Sequence, residues 1–153
     1  MSAGVMDALN GLIATELVAV NQYFVHAKLC EHWGFEKLAG KLREASIDEM
    51  RDVEAYMDRV LLLGGLPNLQ RLDAFQVGEN VPEALDLAIA LEERAVAQLK
   101  EAVALSESED DLGTAALLRP KVADEEEQLD WLRQQRSLIA QLGQELYLAQ
   151  QVG

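Results

Sequence analysis

Leu9-Asn10-Gly11-Leu12-Ile13-Ala14-Thr15-Glu16-Leu17-Val18-Ala19-Val20-Asn21-Gln22-Tyr23 carries a helical apolar stripe of Leu9, Leu12, Ile13, Val20 and Tyr23, with one carboxylate set into it at Glu16. The same irregularity recurs three times further along. Glu49 lies within Leu42, Ala45, Asp52, Tyr56 and Val60; Glu92 interrupts Leu85, Ala88, Ala95 and Leu99; Glu125 interrupts Leu118, Val122, Leu129 and Leu132. A carboxylate on an apolar face either finds a partner, stays protonated or destabilises the fold by several kcal/mol. Four of them, one per helix, point to a cation shared at the centre of a helical bundle.

In bundles that hold two metal ions between carboxylates, two helices each supply a Glu and the other two each supply Glu-x-x-His. Here the paired motifs read Glu49-x-x-Asp52 and Glu125-x-x-Gln128, so a carboxylate and an amide stand at the two histidine positions.

The apolar period is helical nearly throughout, and glycines and prolines divide the chain into helices at about 5–33, 36–63, 82–107, 112–141 and 144–151. Gly34 follows the first, Gly64, Gly65 and Pro67 end the second, and Pro82 opens the third. Pro120 falls inside the fourth and predicts a kink. The segment 64–81 has no low-complexity run and reads as an ordered crossover. It is long enough to traverse the bundle, so the second and third helices run parallel. The expected fold is all-α, a ferritin-like four-helix bundle with one long crossover and a short fifth C-terminal helix. With 153 residues, 50% apolar, the chain reads as a single domain over 1–153.

A net charge of −14 argues against nucleic acid or an anionic membrane as partner and suits a protein that handles cations or meets a basic partner. Cys30 stands alone, which excludes an intrachain disulfide and a cysteine-based zinc site. No apolar run reaches spanning length and no basic segment precedes an apolar core at the N-terminus, so a cytoplasmic protein is expected.

Four stretches together resemble the bacterioferritins, over essentially the whole chain: Glu16-Leu17-Val18-Ala19-Val20-Asn21-Gln22-Tyr23-Phe24, Ser46-Ile47-Asp48-Glu49-Met50, Gly65-Leu66-Pro67-Asn68-Leu69-Gln70, and Asp124-Glu125-Glu126 with Asp130-Trp131-Leu132. The resemblance implies a hollow shell of twenty-four subunits, homo- or hetero-oligomeric, that oxidises Fe(II), stores Fe(III) mineral and carries b-type haem between pairs of subunits. It assigns Glu16, Glu49, Glu92 and Glu125 to the di-iron site, with Asp52 and Gln128 where the family has histidines. An all-oxygen site holds hard cations, iron or another divalent ion, more loosely than one with imidazole. Tyr23 matches a tyrosine beside that centre, with plain core packing as the alternative for it and for Trp131.

Met50 is one position from Glu49 and so points about 100° away from the core. The resemblance makes it a haem iron ligand, paired with the same residue of a second subunit, with Leu17, Val20, Phe24 and Val53 lining the slot; a methionine packed in a dimer interface is the alternative. Glu44 and Asp48 match an inner-surface iron site, against the alternative of a solvated helix face. Leu66, Glu79 and Glu83 match the docking surface of the bacterioferritin-associated ferredoxin. His26 and His32 read as surface or interface residues, and Glu107 to Asp111 as a helix end and turn.

Three readings stay open on these residues. The first is a haem-binding shell subunit with a degenerate oxidase centre, working beside a second bacterioferritin subunit with an intact ferroxidase site. The second is a self-sufficient ferroxidase with variant ligands, and the third a shell subunit with no redox role.

Overall fold

Two tight turns and one long connection set the topology. In the computed structural model, which describes residues 3–153, the chain forms α1 (Ala3–His32), α2 (Glu36–Leu62), α3 (Val81–Ser108), α4 (Leu112–Leu142) and a short α5 (Gln144–Ala149). Each boundary lies within two residues of the sequence-based expectation. α1 stops at Gly34, whose φ of 94° places it in the left-handed region while Phe35 N–H donates back to Cys30 O at 2.8 Å. α2 stops in the same way at Gly64, with φ 85° and Gly65 N–H on Val60 O.

α3 starts on Asn80, whose side chain accepts from Glu83 N–H at 2.9 Å, while the Glu83 carboxylate accepts from Glu79 N–H at 2.7 Å. α4 starts on Asp111, the last residue of the acidic run, which accepts from Thr114 N–H. α4 then continues through Pro120 as one element, so the expected kink does not divide it. Ala116 and Pro120 are both exposed, so the proline and the residue whose carbonyl it cannot bond lie on the outer side of the helix.

The crossover between α2 and α3 is pinned to α1 at both ends. Asn10 donates to Leu66 O at 3.3 Å and accepts from Asn68 N–H at 2.8 Å, while Gly78 N–H donates to His26 Nε2 at 2.9 Å. Asn10 and His26 are about 24 Å apart along α1. The crossover therefore travels the bundle's length, and α3 starts at the same end as α2, parallel to it. His26, expected as a surface or interface residue, is instead buried within the subunit, only 2% exposed. Burial lowers its pKa, as suits a neutral ring accepting an N–H.

Two apolar clusters fill the interior. One gathers Tyr23, Leu38, Leu42, Leu85, Leu132 and Tyr147; the other gathers Leu9, Leu12, Ile13, Tyr56, Leu99 and Leu118. The inward glutamates fall between them along each helix.

At the far end Arg59 of α2 donates to Asp111 at 2.8 Å and to Thr114 Oγ1 at 2.9 Å. A side chain at Gly113 would collide with this guanidinium. Burial opposes ionisation of Asp111, but hydrogen bonds from Thr114 and the Arg59 charge hold its carboxyl below the usual range. The pair is mostly buried, at 19% and 12% exposed. Arg59→Met is expected to destabilise the fold by about 2–3 kcal/mol in urea unfolding; a loss under about 0.5 kcal/mol would put this pair with ordinary surface ion pairs.

Candidate metal centre

Glu16 of α1, Glu49 of α2, Glu92 of α3 and Glu125 of α4 are 1%, 4%, 1% and 3% exposed. In each, Oε2 is buried without a hydrogen-bond partner. Since nearly all buried polar atoms in folded proteins are bonded, four unpartnered oxygens on four helices are donors that a shared cation would satisfy. Glu16, Glu49, Asp52 and Glu125 each bring one oxygen within 4.8 Å of the others. That span suits a single divalent ion, whose oxygen ligands lie about 2.0–2.6 Å from it.

Glu92 stands outside that group. Tyr23 donates to its Oε1 at 2.6 Å, and Gln128 donates to the Tyr23 hydroxyl at 3.3 Å. The neighbouring Glu125 further disfavours ionisation of Glu92. The amide at one histidine position is thus turned toward Tyr23, and the centre is asymmetric: one half an open carboxylate group, the other closed by a tyrosine and an amide.

At the other histidine position Asp52 accepts from Lys121 Nζ at 2.6 Å, with both side chains largely buried. Lys121 was not anticipated as a site residue. The available signal was its place one turn before Glu125, on the same face of α4. Tyr56 belongs to the apolar stripe of α2, yet its hydroxyl is buried and unpartnered. Its position one turn after Asp52 was the signal.

The electrostatics follow from burial. Desolvation, reinforced by Glu125 and Asp52 and relieved by Lys121, raises the Glu16 pKa well above its ordinary value. Desolvation and the contact with Glu125 do the same to Glu92. Burial also raises Asp52, against the opposing pull of Lys121. Burial, then Glu92, raises Tyr23, and burial with Glu16 and Asp52 raises Tyr56.

A cleft of about 600 Å³ leads from the surface between α2 and α4 to Glu49, Asp52 and Glu125. Glu44 and Asp48 border it as exposed residues, near Lys41 at 3.8 Å and Arg51 at 3.5 Å respectively. Trp131 also lines it and packs on the core.

Met50 lies on the opposite side of α2, half exposed, and Phe24 of α1 is 49% exposed. Ser46 Oγ donates to Val20 O at 2.8 Å, which fixes the antiparallel register of α1 and α2 and sets Met50 across from Leu17 and near Val20, both half-buried. Val53 does not join this strip. It is 4% exposed and packs in the cluster with Tyr56 and Val60, because it lies four residues after Glu49 and shares its inward face.

Leu66 is 83% exposed at the Asn10 end of α1, whereas Glu79 and Glu83 lie at the His26 end. They do not form one patch within a subunit, and Glu83 is engaged in capping α3. His32 is exposed, and no helix among the described residues is long and apolar enough to cross a membrane.

A helical bundle with one long crossover, carboxylates from all four helices meeting in its core and a polar cleft reaching them, is a metal-handling carboxylate bundle. The profile of the ferritin-like domain matches residues 6–149. The chain is 45% identical to a bacterioferritin of Mycobacterium leprae over 146 residues, covering 95% of this chain and 92% of that one. It is 42% identical to a bacterioferritin of Streptomyces coelicolor, over 95% and 87% of the two chains, and 40% identical to a bacterial ferritin of Pseudomonas aeruginosa, over 97% and 96%. The chain belongs to the bacterioferritins.

With Glu16 and Glu92 raised, the metal-free fold binds protons that the unfolded chain releases. Their contribution to stability is complete below the ordinary glutamate pKa and is lost as pH rises through the raised values. Glu16→Gln is therefore expected to raise the Tm of the metal-free protein at pH 8 by about 2–6 °C and to leave it nearly unchanged near pH 4.5. Equal shifts at both pH values in thermal unfolding would show that Glu16 is not held protonated.

Proposed function

We propose that the chain is an iron-storage shell subunit that binds b-type haem between paired copies through Met50 and helps move electrons to or from stored iron. In this reading its own oxidation centre is weak. The observation that carries it is the pairing of neighbours on α2: Glu49 is 4% exposed in the core while Met50 is 50% exposed on the outside. One helix thus serves a buried cation site and an outward soft ligand.

The residues fit haem. A thioether is a soft donor suited to haem iron, and Phe24, Leu17 and Val20 offer an apolar strip beside it. Bound there, haem would supply a one-electron carrier. Leu66, Glu79 and Glu83 are proposed contacts for the bacterioferritin-associated ferredoxin, which would have to reach both ends of a subunit or two neighbouring subunits. The proposed assembly is the shell of twenty-four, in the cytoplasm.

Fe(II) is substrate and cargo at the carboxylate centre. Glu16, Glu49, Asp52 and Glu125 are proposed to bind it, with Glu92, Tyr23 and Gln128 alongside and Glu44 and Asp48 at the inner surface. Without imidazole the centre favours hard cations and gives less support to the change from Fe(II) to Fe(III). A histidine-bearing second subunit would then oxidise most of the iron. The convergence of four glutamates supports the other reading, a self-sufficient ferroxidase, and the oxidation rate separates the two.

Met50→Leu is expected to take haem from one per two subunits to none, at unchanged assembly in size-exclusion chromatography; full haem occupancy in that variant refutes the assignment. In the haem-quantified homopolymer, initial Fe(II) oxidation is expected to be slow, and Asp52→His with Gln128→His to raise it about tenfold or more. A parent as fast as a bacterioferritin with both histidines would sink the division of labour.

A further inference from the structure

The protein's own cation already sits at the edge of the carboxylate centre. Lys121 Nζ is 2.6 Å from Asp52, and Asp52 is one of the four residues whose oxygens lie within 4.8 Å of one another. A divalent ion among those oxygens would stand within several ångströms of the ammonium, where like charges in a partly buried setting repel strongly. We propose that Lys121 is a resident counter-ion that competes with an incoming divalent cation for Asp52, so that metal uptake requires the ammonium to swing out into the cleft. The proposal rests on reading the centre as a divalent-cation site.

Three observations support it. The Oε2 atoms of Glu16, Glu49 and Glu125 are buried without partners, so the ion pair leaves most of the cluster's demand for positive charge unmet. The Lys121 side chain is 20% exposed and borders the cleft of about 600 Å³, which gives its flexible stem somewhere to go. Asp124 and Glu127 line the same cleft and can receive the displaced ammonium. The opposite role, a lysine that holds Asp52 in place as a ligand from behind, is common around metal sites, and it predicts the opposite sign for the loss of Lys121.

The test is calorimetric titration of the metal-free full chain with Zn²⁺, a probe without redox chemistry. Lys121→Gln is expected to bind at least about tenfold more tightly than the parent, and Lys121→Arg, which keeps the charge, to stay within about threefold of it. Unchanged or weaker binding in Lys121→Gln overturns the proposal. The double variant Glu16→Gln with Glu125→Gln serves as a separate control: if it binds Zn²⁺ as the parent does, the reading of the centre as a metal site fails. A second readout uses the parent alone. Reductive methylation followed by peptide mass spectrometry should label Lys121 faster once Zn²⁺ is bound, with Lys28 unchanged as an exposed reference; equal protection of Lys121 with and without metal overturns the proposal even if Lys121→Gln does not fold.

Discussion

Five carboxylates enclosed between two apolar clusters, with one lysine among them, are the electrostatic problem around which the bundle is arranged. At 1–4% exposure Glu16, Glu49, Glu92 and Glu125 are poorly solvated, so charge there is offset by protons, hydrogen bonds or cations. All three bear on this centre. Burial favours the protonated forms of Glu16 and Glu92; Tyr23 donates into Glu92; Lys121 holds Asp52. The long crossover belongs to the same solution. By running α3 parallel to α2 it lets each helix deliver one glutamate to the same level of the bundle.

The helical period then separates two chemistries on one element. Residues 45, 49, 53, 56 and 60 of α2 face the core and are buried, while Met50 turns to the outside. A single residue of register is enough to divide a hard, acidic, enclosed site from a soft, exposed, apolar one. The hydrogen bond from Ser46 to the Val20 carbonyl ties α1 to α2 beside this strip, so both chemistries depend on the same helix register.

What the sequence revealed and what it concealed follow the same division between local and distant contacts. The inward glutamates, the outward Met50 and the helix ends at Gly34, Gly64 and Pro82 are legible because each depends on period or cap chemistry within a few residues. Val53 was assigned to the outer strip although the four-residue spacing from Glu49 already turned it inward. The Asp52–Lys121 pair joins residues 69 apart, and it depends on how α4 lies against α2, which no local pattern encodes. His26 is buried by a crossover residue 52 positions away. Leu66 and Glu79 are close in sequence yet fall at opposite ends of the subunit, because an extended crossover separates residues that a helix would have kept near.

The two positions that depart from the family pattern have not departed in the same way. Gln128 replaces a neutral imidazole with a neutral amide and spends it on Tyr23, so that half of the centre loses a donor without changing charge. Asp52 brings a negative charge in place of a neutral ring, and Lys121 stands 2.6 Å from it with the positive charge that offsets it. The formal balance of the cluster, four net negative charges with all carboxylates ionised, therefore equals that of four glutamates with two neutral histidines, and two divalent ions would still neutralise it. Charge alone cannot make this a poor oxidation centre. What differs is the kind of donor and its freedom: oxygen stands at both positions, Asp52 is already bonded to Lys121, and the Gln128 amide donates to Tyr23. Oxygen donors at both positions keep an attraction for hard cations, whereas imidazole nitrogen is the donor suited to a metal that changes oxidation state.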